Sequence, residues 1–226
     1  MQTTTAVIGL GQFGSRLVRS LVQRRVAVIA IDSRMDRVEK LSDVVERALC
    51  VDATDEQALV EAGVEQANVA VCALGEDAIQ ASIMVTALLA QLGVPRIIAR
   101  GITELQSRIL LRVGAHEVIN PEWEMGERLA IRLANPNLLE EIPLAENISI
   151  AEVAAPITFV GKTLVELQVR KRFGVTVVAV RHPEGVQPRM AANPAPDLRV
   201  QSGDVLFVLG DHSQIQKVAE DATVLR

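Results

Sequence analysis

The chain is poor in aromatic side chains: its 226 residues include four phenylalanines, one tryptophan and no tyrosine. Stacking of bases on aromatic rings holds single-stranded nucleic acid, so this composition argues against that partner. The net charge of −5 also argues against nucleic acid, because phosphate contacts need clustered lysine and arginine. The absence of tyrosine further excludes a short-chain dehydrogenase with a Tyr/Lys pair.

Cysteine and long apolar runs are scarce too. Cys50 and Cys72 each end an apolar, strand-like run and form no spaced pair, which predicts buried free thiols in a reducing compartment. The most apolar long stretch, residues 78–99, contains polar residues, Gly93 and Pro95, and so falls short of the roughly 20 apolar residues of a membrane span. No signal-peptide pattern is present at the N-terminus. We therefore expect a cytoplasmic protein, which still allows docking onto a membrane protein.

Short apolar segments alternate with amphipathic segments up to about Asn120. This alternation predicts βαβ units, and hence a doubly wound Rossmann-type parallel sheet. The expected strands are residues 5–10, 27–32, 47–52, 69–74, 96–101 and 116–120, and the expected helices are residues 15–24, 37–43, 55–63, 77–93 and 105–115.

The pattern changes after a further predicted helix, residues 122–137, which Pro136 ends. The rest predicts a small α+β domain with antiparallel strands. Its segment 183–198 carries four prolines, so it is not expected to form a central strand. We predict two domains, residues 1–138 and residues 139–226.

The first strand leads into the turn GLGQFG, in which Gly9, Gly11 and Gly14 match the G-x-G-x-x-G pattern of dinucleotide-binding folds. Gly9 permits the tight turn, Gly11 lets a pyrophosphate approach the backbone, and Gly14 lets the helix pack closely on the sheet. The second strand ends at Asp32, about 20 residues on, where a carboxylate accepts hydrogen bonds from the ribose hydroxyls. A carboxylate there also repels a 2′-phosphate, which disfavours NADP.

The carboxyl ends of the third, fourth and fifth predicted strands lie at the same edge of a parallel sheet, where ligands bind. Arg100 follows the fifth strand, where contact with phosphate and a surface salt bridge are equally open interpretations. With the turn and Asp32, the candidate nucleotide-binding residues are Gly9, Leu10, Gly11, Gln12, Phe13, Gly14, Asp32, Ser33, Asp52, Ala53, Thr54, Ala73, Leu74, Gly75 and Arg100.

The machinery of an enzyme is not evident. The only histidines, His116, His182 and His212, are typical of solvated turns, no metal-ligand cluster is present, and the second domain is small for a substrate pocket. These features favour a nucleotide sensor over a catalyst. An NAD-dependent oxidoreductase or redox sensor is the alternative.

Long runs outside the turn resemble the RCK (or KTN) domains, the cytoplasmic regulatory domains and subunits of potassium transporters and channels. They include VDATDE, GEDAIQASIMVTALLAQLG, VGAHEVINPEWEMGERLA and GKTLVELQVRKRFGVTVVAVRH, and with the turn they cover nearly the whole chain in order. The resemblance is closest to the stand-alone Ktr/Trk-type subunits.

The resemblance implies a homodimer that assembles into a homo-octameric ring on a membrane potassium-translocating subunit, peripheral to the inner face of the cell membrane. ATP and ADP set the ring shape, which gates the pore, and Trk-type members also respond to NAD or NADH. By the resemblance, Glu122 helps to bind Mg²⁺ or Ca²⁺ near the γ-phosphate. Cyclic di-AMP binds the C-terminal domain of some members, where Arg170, Arg172 and His182 match.

One position departs from the family pattern. Ktr-type members often have arginine where this chain has Gln12, and that arginine reaches the phosphates. A neutral amide does not replace its charge. The departure weakens the expectation that ATP is preferred over ADP and keeps NAD(H) open. Arg16, one turn further on, is a candidate substitute.

Overall fold

A computed structural model describes residues 3–183 and 189–221 of the chain. Its contacts divide the chain into two compact units, and the boundary in the sequence falls between Pro121 and Glu122. Each unit is described by itself. The sequence-based division lies at residue 138 instead. The helix that begins at Pro121 accounts for the difference, because its Ile131 packs against the core of the second unit.

The first unit alternates strands and helices throughout. Its elements are β1 (Thr4–Ile8), α1 (Gln12–Gln23), β2 (Ala27–Asp32), α2 (Met35–Ser42), β3 (Arg47–Cys50), α3 (Glu56–Glu61), β4 (Val69–Cys72), α4 (Ile79–Gln91), β5 (Ile97–Arg100), α5 (Glu104–Arg112) and β6 (Glu117–Ile119). The six strands form one parallel sheet in the order β3-β2-β1-β4-β5-β6. This order is that of a Rossmann-type sheet and confirms the predicted fold.

The central strand β1 shows why the sheet needs helices on both faces. Ala6 and Ile8 enter one apolar cluster and Val7 enters another, because successive side chains of a strand point to opposite faces. All three are buried. A strand buried on both faces appears in the sequence as a continuous apolar run, which is why these strands were predictable.

The second unit is built on an antiparallel sheet. Its elements are α6 (Pro121–Ala134), β7 (Leu138–Ala145), β8 (Ile148–Ala154), α7 (Leu164–Leu167), α8 (Val169–Phe173), β9 (Thr176–His182), β10 (Arg189–Ala192), β11 (Val205–Asp211) and α9 (His212–Glu220). The strand order is β10-β9-β11-β8-β7. Phe159, Leu206 and Ile215 are fully buried in its core. The prediction of a small α+β domain is confirmed.

The two edge strands of this sheet compare differently with the expectation. β10 lies within the proline-rich segment, and its place at the edge agrees with the expectation that this segment forms no central strand, whereas β7 was not predicted at all. β7 contains two glutamates and Pro143, and a proline is tolerated in an edge strand because one side of that strand needs no ladder hydrogen bonds. Residues 184–188 of the proline-rich segment lie outside the described residues.

The structure also bears on the two cysteines and on the question of a membrane span. Both cysteines are free; Cys72 is buried, as predicted, whereas Cys50 is only partly buried. Burial raises the pKa of the Cys72 thiol above its usual value. Within residues 3–183 and 189–221, no helix has the length and apolar character needed to cross a membrane.

Candidate functional site

The glycine turn between β1 and α1 is tightly packed at two of its three glycines. Gly9 has a φ of +95°, a backbone conformation that L side chains rarely adopt. A Cβ atom on Gly14 would lie 1.9 Å from the carbonyl oxygen of Gly9, so only glycine allows this approach of helix to strand. These are the roles that the motif predicts for its first and third glycines.

Gly11 differs from both neighbouring glycines. Its backbone is extended, with φ of −63° and ψ of −165°, and a Cβ atom there would meet nothing within 4 Å. Packing within the first unit therefore does not require glycine at this position. The space beside Gly11 is the place where a ligand can approach the backbone, as the motif requires.

Helix α1 starts at this open space. Gly11 is its N-cap residue and provides no side-chain cap, and the first turn contains no acidic residue. The N-terminus of a helix carries a partial positive charge and N–H groups directed away from the helix. The end of α1 is therefore suited to a phosphate group.

Asp32, at the end of β2, is buried and reaches back to the turn. Its Oδ2 accepts a hydrogen bond from the backbone N–H of Leu10 at 2.7 Å, and its Oδ1 accepts one from the backbone N–H of Arg34 at 2.9 Å. The Arg37 guanidinium also lies 3.2 Å from Oδ2. The structure thus joins two predicted site residues, Leu10 and Asp32, in one hydrogen-bonded corner.

A cleft of about 470 Å³ opens between α1 and α2 beside this corner. It is lined by Leu10, Gly11, Gln12, Ser15 and Arg19 from one side and by Arg34, Asp36, Arg37 and Lys40 from the other. The four cationic side chains were not among the predicted site residues. The sequence shows them only as charges on two helices, and the parallel pairing of β1 with β2 brings those helices together. Arg16 is exposed and does not line this cleft.

Several predicted residues lie on the other side of the turn. A Cβ atom on Gly9 would contact Ala73 and Leu74, and one on Gly75 would lie 3.5 Å from the Arg100 guanidinium. That guanidinium is 6.0 Å from the centre of the Phe13 ring. The carboxyl ends of β1, β4 and β5 therefore meet, as parallel strands require.

The residues after β3 form a turn of their own. Asp52 accepts hydrogen bonds from the backbone N–H and the hydroxyl of Thr54, at 2.9 and 2.8 Å, which lower the pKa of Asp52. Ala53, between them, is buried in the core. The Ser33 carbonyl, after β2, accepts a weak hydrogen bond from the Cys50 thiol at 3.5 Å.

The remaining predicted residues belong to the second unit. Glu122 lies in the first turn of α6, where an acid is favoured by the helix dipole. Arg170 and the neighbouring Lys171 line a groove of about 430 Å³ between α8 and β9. Arg172 instead pairs with Asp221 at 3.7 Å, and His182 is 2.7 Å from the buried Asp204. The structure places only Arg170 of these three in the groove.

The other histidines have structural partners. His116 Nδ1 accepts a hydrogen bond from the backbone N–H of Ile97, and His212 Nδ1 lies 2.8 Å from Glu141. In the part of the chain that the structure describes, no group of three His, Cys, Asp or Glu side chains is placed to hold a metal ion.

The strand order, the glycine turn and the acid at the end of β2 define a Rossmann-type domain of the dinucleotide-binding class. The TrkA-N domain family matches residues 5–121, and the TrkA-C domain family matches residues 148–222. The chain therefore belongs to the family of proteins that join a TrkA-N domain to a TrkA-C domain.

Similar proteins agree with this membership. The chain is 31% identical over 217 residues to the Ktr system potassium uptake protein C of Bacillus subtilis (strain 168), covering 96% of both chains. It is 30% identical over 212 residues to the Ktr system potassium uptake protein A of the same organism, covering 94% of this chain and 93% of that protein. The structure of the GsuK channel bound to NAD is similar in fold, with a TM-score of 0.52 and 23% identity. That similarity covers 99% of this chain and 39% of the channel chain.

Proposed function

We propose that the protein is a nucleotide-sensing regulatory subunit of a Ktr/Trk-type potassium uptake system. The observation that carries the proposal is the open turn at Gly11, next to the buried carboxylate of Asp32. The two Ktr relatives that match more than nine tenths of the chain support a role in potassium uptake.

An adenine nucleotide fits the turn in one orientation. Its phosphates lie at the start of α1, against Gly11, and its ribose lies near Asp32. The base lies towards Asp52–Thr54 and Ala73–Gly75, and Arg100 serves the phosphates. ATP and ADP are the proposed ligands, and NAD or NADH is the alternative that the GsuK channel bound to NAD supports.

In this proposal the nucleotide changes the conformation of the assembly. The protein is a regulator and not an enzyme. Homodimers assemble into an octameric ring on a membrane potassium-translocating subunit, at the inner face of the cell membrane. A nucleotide shifts that ring only by its different affinity for two conformations. Glu122 contributes to a Mg²⁺ or Ca²⁺ site whose other ligands come largely from the nucleotide phosphates.

The groove at Arg170 and Lys171 supports a second ligand site in the C-terminal domain. Its two cations beside an apolar wall, including Leu164 and Val165, suit an anionic nucleotide such as cyclic di-AMP. Arg172 and His182 have partners elsewhere and would need to rearrange to take part.

The test is a thermal-shift panel with ATP, ADP, NAD and NADH, each with and without Mg²⁺ or Ca²⁺. A ligand that binds only the folded chain raises the melting temperature by mass action. Preferential stabilisation by ATP with a divalent cation is expected. No stabilisation by any nucleotide would overturn the proposal, and turnover of NADH with a substrate would favour the oxidoreductase.

A further inference from the structure

Arg100 is the one cationic side chain among the candidate nucleotide-binding residues. Gln12, in the glycine turn itself, is neutral, and the N-terminus of α1 supplies only a partial charge. The charge that Arg100 brings to the phosphates therefore depends on where its guanidinium is held.

The guanidinium of Arg100 has to bridge a gap between two strand ends. Arg100 ends β5, whereas the glycine turn follows β1, and β4 lies between these two strands in the sheet. Neighbouring strands are about 4.8 Å apart, so the gap is roughly 10 Å. A long arginine side chain spans such a distance, but fixing it in one direction costs rotamer entropy unless a neighbour holds it.

Phe13 is that neighbour. It is the second residue of α1, and its half-buried ring packs against the apolar cluster that contains Leu10 and Ala73. The Cζ atom of Arg100 lies over this ring, 6.0 Å from its centre. A guanidinium over an aromatic face is attracted by the quadrupole of the ring. This contact does not consume the N–H donors, which lie in the plane of the guanidinium.

We propose that Phe13 is a positioning residue, which holds the Arg100 guanidinium ready for the phosphate chain and so favours ligands that carry a pyrophosphate. The inference rests on the proposed nucleotide-binding function. An arginine that is already oriented loses less entropy when it forms charge-assisted hydrogen bonds to phosphate. ATP and NADH, which carry a pyrophosphate, should gain more from this pair than AMP, which carries a single phosphate.

The experiment is a set of calorimetric titrations of the full chain with ATP, NADH and AMP. Phe13→Leu is expected to weaken the binding of the pyrophosphate ligands about three- to tenfold, the range of a cation–π contact, and that of AMP less than about twofold. Phe13→Tyr keeps the aromatic ring and should bind like the wild type. Arg100→Gln should weaken the same ligands at least as much as Phe13→Leu does. Adding Phe13→Leu to Arg100→Gln should cost nothing further, because both changes remove one contact.

Phe173→Leu is the matched control, since the Arg172 Cζ atom lies 4.8 Å from the centre of the Phe173 ring in the second unit. It removes the same kind of contact and should leave all three affinities unchanged. Denaturant unfolding checks that Phe13→Leu is folded, and Phe13→Met replaces it if it is not, because methionine fills irregular core gaps.

Equal losses for AMP and for the pyrophosphate ligands would overturn the inference in favour of a purely structural role for Phe13. Additive losses in the double variant, or a Phe13→Tyr variant as weak as Phe13→Leu, would overturn it too. A wild type that binds ATP or NADH, with Phe13→Leu binding it equally well, contradicts this inference alone. A wild type that binds neither ligand contradicts the proposed function as well.

Discussion

Gly11 and Gly14 lie in the same turn but are glycines for different reasons. A side chain on Gly14 would meet the carbonyl of Gly9, so the packing of the fold itself requires glycine at this position. A side chain on Gly11 would meet nothing within 4 Å, so packing does not require glycine there, and the proposed reason for it is the approach of the ligand. The motif in the sequence cannot separate these two reasons, since it shows only three glycines at a fixed spacing.

Alanine substitutions at these two positions should therefore have opposite consequences. Gly14→Ala is expected to lower the free energy of unfolding by about 1–3 kcal/mol or more, the usual cost of overpacking, because the backbone must move. Gly11→Ala is expected to leave stability nearly unchanged and to abolish most of the nucleotide-dependent thermal shift. Denaturant unfolding and the nucleotide panel measure the two effects.

Gly126→Ala is the control for Gly11→Ala, because a Cβ atom at Gly126 also meets nothing within 4 Å. It lies in α6, where alanine is favoured over glycine by about 1 kcal/mol, so stability should rise slightly and nucleotide binding should stay unchanged. Normal nucleotide binding by Gly11→Ala would contradict the placement of the ligand at this turn.

Gln12 shows what the sequence could not resolve about the phosphates. The departure from arginine was visible, but the substitute suggested from spacing, Arg16, lies outside the cleft. Arg19, three residues further along α1, does line the cleft. Positions three and four apart lie near the same helix face, so spacing alone could not decide which arginine lines the cleft.

At the scale of elements, the sequence predicted every strand of the parallel sheet and missed the edge strand β7 of the antiparallel sheet. All six strands of the parallel sheet were predicted because each is a short apolar run. β7 was missed because Glu140, Glu141 and Pro143 interrupt any such run. Its strand character comes from pairing with β8, a contact between segments that no local pattern encodes.

Two helices begin with related caps that differ in one titratable group. In α5, the Thr103 side chain accepts a hydrogen bond from the backbone N–H of Gln106. In α7, Thr163 and Glu166 form a capping box, in which the Glu166 carboxylate also accepts from the Thr163 N–H and hydroxyl. Those two donors lower the pKa of Glu166 below its usual value.

The difference predicts a pH dependence for one cap only. A carboxyl with a lowered pKa in the folded chain contributes stability above its unfolded pKa, and that contribution is lost as the pH falls through the folded pKa. Thr163→Ala and Thr103→Ala should each cost about 1 kcal/mol at neutral pH. The cost of Thr163→Ala should shrink at a pH below about 4, whereas the cost of Thr103→Ala should not, because the Gln106 amide does not titrate.

Urea unfolding at neutral and acidic pH measures these costs. Glu166→Gln supplies a second comparison, since its free energy of unfolding should approach that of the wild type as the pH falls. A cost of Thr163→Ala that is equal at both pH values would show that the Glu166 carboxylate does not support the cap.

At the scale of the whole molecule, the chain has two compact units and a different candidate ligand site on each. The glycine turn belongs to the first unit and the groove at Arg170 belongs to the second. A regulator that responds to both ligands must couple them through conformation or assembly. The family resemblance supplies the proposed assembly, a ring of eight chains, and so directs attention to surfaces that a second copy can cover.

Helix α6 offers such a surface. It contains no buried residue, and Trp123, Met125, Leu129 and Leu133 on it are between 50% and 73% exposed. Large apolar side chains clustered on one exposed helix are typical of an interaction site. Within the proposed ring, we expect a second copy of the chain to cover this helix.

Leu129→Lys/Leu133→Lys is therefore expected to reduce the mass of the assembly measured by light scattering, because lysine at a buried interface carries a large desolvation cost. The control is Met35→Lys, since Met35 is 56% exposed but lies on α2, in the first unit. The α6 variant should keep its nucleotide-dependent thermal shift, because the turn at Gly11 lies wholly within the first unit. An α6 variant with the wild-type mass would exclude this helix from the assembly interface. Loss of mass in Met35→Lys instead would place the interface on the first unit.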